Sequence, residues 1–465
     1  MFVKKVDVII IGGGPIGLLN YKILKSAGLK VCVIIESNKA HYTSSNGNFK
    51  LKNDKKVSGL YGKTTLWGNG HDTNLNYYLN LPNTSNFPRE NLNLAELKNA
   101  AIKLEKLGWP SSDKIIKKNS RLSQELSKNG FVINEIKRGR LLTPIDTKID
   151  DKDIIYANSH QINCSKNKGK KKVKTLVINY EDSSIIIDTN FLILSAGGLG
   201  NLVLLKRISS QLNTNIQEEI IGKGYSNHPK MITHTLYLKK RMYVGSARYV
   251  LKKWKPFEIA DFIKYDLINT RNFERNLRIS LRYWPNKSKN NLQKNYLLNN
   301  IYSFYDKVML KAGWALSLDI MCYFEMPQKK SNYIKLQKHS KSEIDLSIKH
   351  RFTMTEKIFI KKSIHTITNI FESMCFIRQV NVNKINFKYL ENMDSSHYFG
   401  TTRMSANNRF GVTNSKSLVY GTKNVYCSGT SVLPLSSPNH PTWLAAVFAT
   451  IMCDSIIEEN KKIVI

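Results

Sequence analysis

"KKVDVIIIGGGPIGLLNYKILKSAGLKVCVIIES", Lys4–Ser37, reads as strand, glycine turn, helix, strand. Val6 to Ile11 is apolar except for Asp7, the pattern of a mostly buried parallel strand. Gly12, Gly14 and Gly17 follow as G-x-G-x-x-G. Gly12 permits the tight turn, Gly14 lets the backbone approach a pyrophosphate, and Gly17 lets helix and strand pack closely. A helix over Pro15 to Ala27, opening with Pro15, Ile16 and Gly17, would aim its first amides at the phosphates. Gly28 closes the helix, "KVCVII" supplies the second strand, and Glu36 stands at its end, 19 positions beyond Gly17. An acid there accepts hydrogen bonds from a ribose diol, which favours NAD or FAD over NADP. A G-x-G-x-x-G alone is weak evidence, but strand, helix, second strand and terminal acid agree on a dinucleotide site.

A chain of 465 residues has room for two or three domains, and 42% hydrophobic with 23% charged residues is globular rather than disordered. No apolar run reaches the roughly 18 residues of a membrane helix, and the glycine-interrupted N-terminus has no cleavage site, so no membrane span and a cytoplasmic location are expected. The six cysteines are scattered with no C-x-x-C pair or Cys/His cluster, which predicts neither a metal site nor a disulfide framework. The net charge of +36 comes from dispersed lysines. The one dense run, "SKNKGKKKVK" at Ser165–Lys174, has the look of a turn between strands. A solvated surface is therefore expected, not specific nucleic-acid binding.

Three later segments extend the pattern. "TNFLILSAGGLGNLVLLKR", Thr189–Arg207, is an apolar strand, a Gly-Gly turn and a helix start. "IGKGYSNHPK", Ile221–Lys230, and the C-terminal "NVYCSGTSVLPLSSPNHPTWLAAVF" follow in order. With the opening motif, these resemble the glucose-methanol-choline (GMC) family of FAD-dependent oxidoreductases along nearly the whole chain. "GLYGKTTLWGNG", Gly59–Gly70, resembles the flavin-contacting loop of the pyranose-oxidase-like branch.

The resemblance implies an α/β (α+β) fold, a Rossmann-like FAD-binding domain interleaved with a substrate domain built on an antiparallel sheet with helices. The FAD domain would combine 1–75, 150–230 and 395–465; segments 76–149 and 231–394 would build the substrate domain and its connections. The cofactor contacts would come from Gly12, Gly14, Pro15, Ile16, Gly17 and Glu36, from Thr64, Thr65, Trp67 and Gly68, from Ala196 and Gly197, from Gly429 and Thr430, and from Pro441 and Thr442. Asn201 stands where members usually have Ser or Thr. Some members bond a histidine just before the loop tryptophan to the flavin; here that position is Leu66, so non-covalent FAD is expected.

Within the substrate domain, Leu94, Leu97, Ala101 and Leu104 mark a helix, with Gly108 as cap. Leu316–Gln337 reads as two strands around a polar turn, similar to a family hairpin. Ile360, Ile364, Ile367, Phe371 and Met374 share one helix face, as a core stripe does.

In "SSHYFGTTRM", Ser395–Met404, the resemblance puts His397 beside the flavin. In "SSPNHPTWL", Pro441 and Thr442 set the register that makes His440 the second active-site residue, with Asn439 one step away. Oxidising an alcohol removes a hydroxyl proton and moves a hydride to flavin N5. An imidazole can take that proton, typically worth roughly 10²–10⁴-fold in rate. A second group then holds the developing alkoxide. His397 is assigned as base and His440 as orienting partner, although the sequence leaves open which of the two takes the proton. The other histidines, His228 of the "SNHP" segment included, are read as structural or surface residues.

The expected activity is oxidation of the CH–OH group of a small-molecule alcohol or sugar, with oxygen, a quinone or a protein as electron acceptor. Two alternatives stand beside it: a non-redox lyase on the same fold, and an inactive basic protein that binds a polyanion.

Overall fold

A computed structural model gives the fold, described here for residues 2–36, 42–44, 70–72, 93–109, 131–138, 149–166, 172–180, 182–212, 219–243, 265–269, 279–285, 314–326, 328–339, 344–375, 377–393, 397–434 and 441–464. The quoted N-terminal stretch forms β1 (Phe2–Ile11), α1 (Pro15–Ser26) and β2 (Val31–Ile35). β1 and β2 pair in parallel, as a helical crossover requires. Asp7, the polar residue in the apolar run, accepts from the Lys30 backbone N–H at 2.8 Å and ties the start of β2 to β1.

Two short strands follow, β3 (Tyr42–Ser44) and β4 (Gly70–Asp72), then α2 (Leu94–Lys106) and β5 (Phe131–Arg138). The chain then returns to the first sheet through β6 (Ile154–Tyr156), β7 (Ile162–Lys166), β8 (Val173–Asn179) and β9 (Ser184–Leu194). α3 (Gly197–Leu212) follows β9, and β17 (Val425–Cys427) completes the sheet from far along the chain. The order is β6-β2-β1-β9-β8-β7, with β17 also paired to β9. β8 lies antiparallel along the start of β9 and β17 parallel along its end, so two strands share one edge. β7 and β8 are antiparallel neighbours on either side of the lysine-rich run.

The parallel strands finish at one level. Ile11 pairs with Ile34 on one side and Leu194 on the other, and Leu194 pairs with Cys427. The backbone continues that alignment for one more residue: Ser195 donates to Ile11 O at 2.7 Å and Ser428 to Leu194 O at 2.8 Å. Glu36, Gly12–Gly14, Ser195–Gly197 and Ser428–Gly429 therefore leave the sheet along a single rim, the carboxyl end where open α/β sheets bind ligands.

The second layer system is antiparallel. β10 (Lys230–Tyr243), β12 (Ile279–Pro285), β13 (Trp314–Phe324) and β16 (Ile377–Val382) form a sheet in the order β12-β13-β10-β16. Leu318, Ile320, Cys322 and Phe324 alternate on β13, and with Leu236 and Leu238 they face Ile360, Ile364, Ile367 and Phe371 of α4 (Met354–Glu372). A capping box between Thr353 and Glu356 starts that helix. The short α5 (Phe387–Asn392) adds Leu390. β11 (Tyr265–Asn269) joins β5 and β4, and β14 (Tyr333–His339) joins β15 (Ile344–Lys349) and β3, each as a three-stranded sheet. α6 (Thr442–Val464) closes the chain against α1 and α2. Among the described residues no helix is long and apolar enough to cross a membrane.

One feature differs from the sequence reading. Leu316–Gln337 is not a hairpin: β13 and β14 lie in different sheets. The segment between them is bonded instead to residues 222–229, through Met326 N to Asn227 O, Gly224 N to Asn332 O and Ile334 N to Gly222 O. α2, β14 and β15 bury Leu97, Leu104, Ile334, Leu346 and Ile348 in the core of the first sheet.

Candidate active site

The three motif glycines have different physical reasons. Gly12 has φ 119° and lies so close to the next strand that a methyl group on it would sit 2.4 Å from Ser195 O. On Gly17 the methyl would sit 1.9 Å from Gly12 O. Both glycines are required by the protein's own packing. Gly14 is not: its φ is −74° and none of the described residues lies within 4 Å of the place a methyl would occupy. Gly197 and Gly429 also open onto space, though their φ values of 75° and 102° give glycine a backbone reason.

Pro15 opens α1 at the first position, where its missing N–H costs nothing, and no side chain caps the helix. Ile16 is buried beneath the turn. A phosphate-sized anion fits this uncapped end, with Gly14 as the side of approach.

Glu36 lies at the rim, half-buried, with no hydrogen-bond donor or cation from the described residues against its carboxylate. Burial pushes its pKa up to about 7. A carboxylate left to be desolvated this way is suited to a ligand's hydroxyl groups. Thr442, the first residue of α6, has a buried hydroxyl without a partner among the described residues, next to Pro441. An uncapped helix terminus, a methyl-sized gap at Gly14, an unpartnered carboxylate and an orphaned hydroxyl together fit a dinucleotide cofactor.

Three asparagines hold the rim together. Asn201 accepts from Ala196 N at 2.7 Å and donates to Ser428 O and Ser431 Oγ, each at 2.8 Å. The residue that departs from the family pattern thus links the Ala196–Gly197 turn to the Gly429–Thr430 turn. Asn20, on α1, donates to Ser195 Oγ at 3.0 Å and Ser428 Oγ at 3.2 Å. Asn424 fills the break between β8 and β17 as a strand residue would: it accepts from Val173 N at 2.9 Å and donates to Val173 O and Asn190 O.

The Ser395–Met404 stretch, described from His397, lies across this rim. Thr401 Oγ1 donates to Gly198 O at 2.7 Å, and Thr430 Oγ1 to Tyr398 O at 3.2 Å. Gly198 admits the crossing, since a methyl there would meet Tyr398 Cβ at 2.3 Å. Phe399 exchanges two backbone hydrogen bonds with Ser226, which brings the "SNHP" segment alongside. The result is a contact between rings: His397 Nδ1 lies 2.7 Å from His228 Nε2. Arg403 is buried, donates to Lys223 O, and has its pKa lowered to about 10 by that burial.

His234 and His350 are core residues. His234 is bonded to Thr233 and Thr368 hydroxyls, and burial lowers its pKa to about 4. His350 lies against Tyr225, and burial lowers its pKa to about 3. His440, Asn439, Leu66 and the loop residues Thr64, Thr65, Trp67 and Gly68 lie outside the described residues.

A family model described as GMC oxidoreductase matches residues 327–449, a span that contains His397, Gly429, Thr430 and Thr442. Residues 327–449 belong to the GMC oxidoreductase family. The whole fold is similar to pyridoxine 4-oxidase from Mesorbium loti, at 11% identity and a TM-score of 0.57, over 97% of this chain and 98% of that one. It is also similar to two mutants of Aspergillus oryzae formate oxidase, whose structures concern FAD modification. One has 12% identity, a TM-score of 0.57 and coverage of 99% of each chain. The other has 13% identity and a TM-score of 0.53, over 99% of this chain and 100% of that one. No curated protein matches the sequence. The GMC match accounts for the C-terminal strand, turn and helix at the rim. The N-terminal glycine turn and Glu36 lie outside it and complete the site through the fold.

Proposed function

We propose that the chain is an FAD-dependent oxidoreductase that oxidises the CH–OH group of a small molecule, a sugar or glycoside hydroxyl. The observation that carries this reading is the contact of the His397 segment with the glycine-lined rim, through Gly198 and Thr430. A histidine with its own polar partner is thereby held at the edge of a site suited to a dinucleotide. In this reading, residues 1–75, 150–230 and 395–465 supply the cofactor-binding part.

Bound FAD would supply the two-electron acceptor. Gly12, Gly14 and the start of α1 would take the pyrophosphate, Glu36 the ribose, and Thr442 with the α6 N-terminus the flavin end. With Nδ1 of His397 engaged by His228, the substrate proton would go to His397 Nε2. His440 would hold the alkoxide oxygen. Leu66 in place of a histidine supports non-covalent binding, and the Gly59–Gly70 loop supports a sugar. Six free cysteines, four of them buried, suit a reducing compartment such as the cytoplasm.

The test is anaerobic mixing of the FAD-loaded protein with sugars, simple alcohols, pyridoxine and formate, followed at the flavin absorbance. Bleaching by a sugar supports the full reading, and bleaching by another alcohol moves the substrate class. No bleaching by any hydroxyl compound would remove the alcohol-oxidising activity. Admitting air to the bleached sample then separates an oxidase from a dehydrogenase.

A further inference from the structure

We propose that His228 is the positioning residue of the active-site histidine: its Nε2 accepts the Nδ1–H of His397 and fixes the tautomer that leaves His397 Nε2 for the substrate proton. This rests on the reading of His397 as the base.

The two nitrogens are 2.7 Å apart, and a hydrogen bond between them holds one proton. If that proton belongs to His228, neutral His397 carries its own on Nε2 and has no lone pair to offer. If it belongs to His397 Nδ1, the Nε2 lone pair remains. Only this second arrangement survives proton abstraction, because imidazolium has N–H on both nitrogens and needs an acceptor at Nδ1. Neutral His228 is that acceptor. Two protons between the rings would set two N–H groups against each other. The pair therefore takes up one proton where two separate histidines would take up two.

The surroundings hold His228 still. Its ring is buried, edge-on to Tyr323 at 5.7 Å, to Phe399 at 5.7 Å and to His397 at 4.4 Å between centroids. Its segment is fixed by the paired Ser226 and Phe399 backbones and by Phe324 N to Pro229 O at 2.8 Å. Among the described residues, the titratable groups around the pair are Tyr323 and Glu325 at the end of β13, Tyr398 beside His397, and Lys230, whose ammonium lies 5.3 Å over the Tyr323 ring. Lys230 adds positive charge on the His228 side, which favours placing the extra proton on His397.

Two variants and one spectrum test this. His228→Leu removes the acceptor, and His228→Gln returns a carbonyl oxygen near the Nε2 position. His228→Leu is expected to slow flavin reduction by at least about 10-fold, the lower end of the loss when the partner that orients a metal-bound imidazole is removed. FAD stays bound and the substrate concentration for half-maximal rate changes little. His228→Gln is expected to recover most of the rate. Equal rates in His228→Leu and the parent overturn the proposal.

Long-range proton–nitrogen spectra of the full-length protein labelled on histidine nitrogen, assigned with His397→Gln, read the tautomer without turnover. The expected result is the Nδ1–H tautomer for neutral His397 and one proton taken up by the pair. The Nε2–H tautomer, or two independent titrations, overturns the proposal even if His228→Leu does not fold. The Nδ1–H tautomer in a protein that oxidises no alcohol would support the pairing and overturn only the alcohol reading.

Discussion

Gly14→Ala separates a glycine kept for a ligand from one kept for the fold. The backbone at Gly14 has φ −74° and ψ 176°, which alanine adopts without strain, and none of the described residues lies within 4 Å of the added methyl. The cofactor-free variant should therefore be as stable as the parent, or more stable by about 0.4–1 kcal/mol through its less flexible unfolded chain. If the pyrophosphate lies against Gly14, the same methyl overpacks the complex by about 1–3 kcal/mol, a 5- to 150-fold loss of FAD affinity. Gly17→Ala is the contrast, because its methyl would meet Gly12 O at 1.9 Å. That variant should lose stability whether or not FAD is present. Fluorescence titration of cofactor-free protein with FAD, beside denaturant unfolding of the same samples, reads both quantities. Parental FAD affinity in Gly14→Ala would refute the placement of the phosphates.

His397→Ala should retain FAD and slow flavin reduction by at least about 10²-fold, the lower end for a lost general base, in rapid-mixing experiments. Asn424→Ala leaves Val173 N–H, Val173 C=O and Asn190 C=O without their partner, and should cost at least about 2 kcal/mol in denaturant unfolding. Acid should destabilise the fold through His234 and His350, whose folded pKa values of about 4 and about 3 lie below the ordinary value of 6.5. Both are neutral when folded, so their contribution is intact above pH 6.5 and is lost as pH falls toward the folded values. The loss is about 2 kcal/mol each by pH 5, measurable by comparing unfolding at pH 8 and pH 5.

The first unit of the fold was legible because its signals are local. The apolar run, the three glycines and Glu36 fall within one β-α-β passage, and each carries its meaning in its neighbours along the chain. Helix α2 was legible for the same reason, although Leu94 proves exposed and Ala100 takes its place on the buried face. For Leu316–Gln337 the sequence marks two strands but not what they pair with, because alternation locates a strand without naming its partner. Here Gly222–Pro229 supplies the hydrogen bonds that a hairpin would have made. The role of His228 is hidden for a related reason: its contact with His397 spans 169 residues, and no local pattern marks it. Of the linking asparagines, Asn20 and Asn424 carry no signal in the sequence and Asn201 only a departure from the family pattern, since their roles depend on turns brought together by the sheet.

The central claim is that the glycine-lined rim holds a flavin. The visible spectrum of the purified protein, before and after incubation with FAD, tests it most directly. The account predicts flavin absorbance that stays with the protein through gel filtration and is released by acid as FAD. A protein that remains colourless after incubation with FAD would contradict the reading from the first glycine onward.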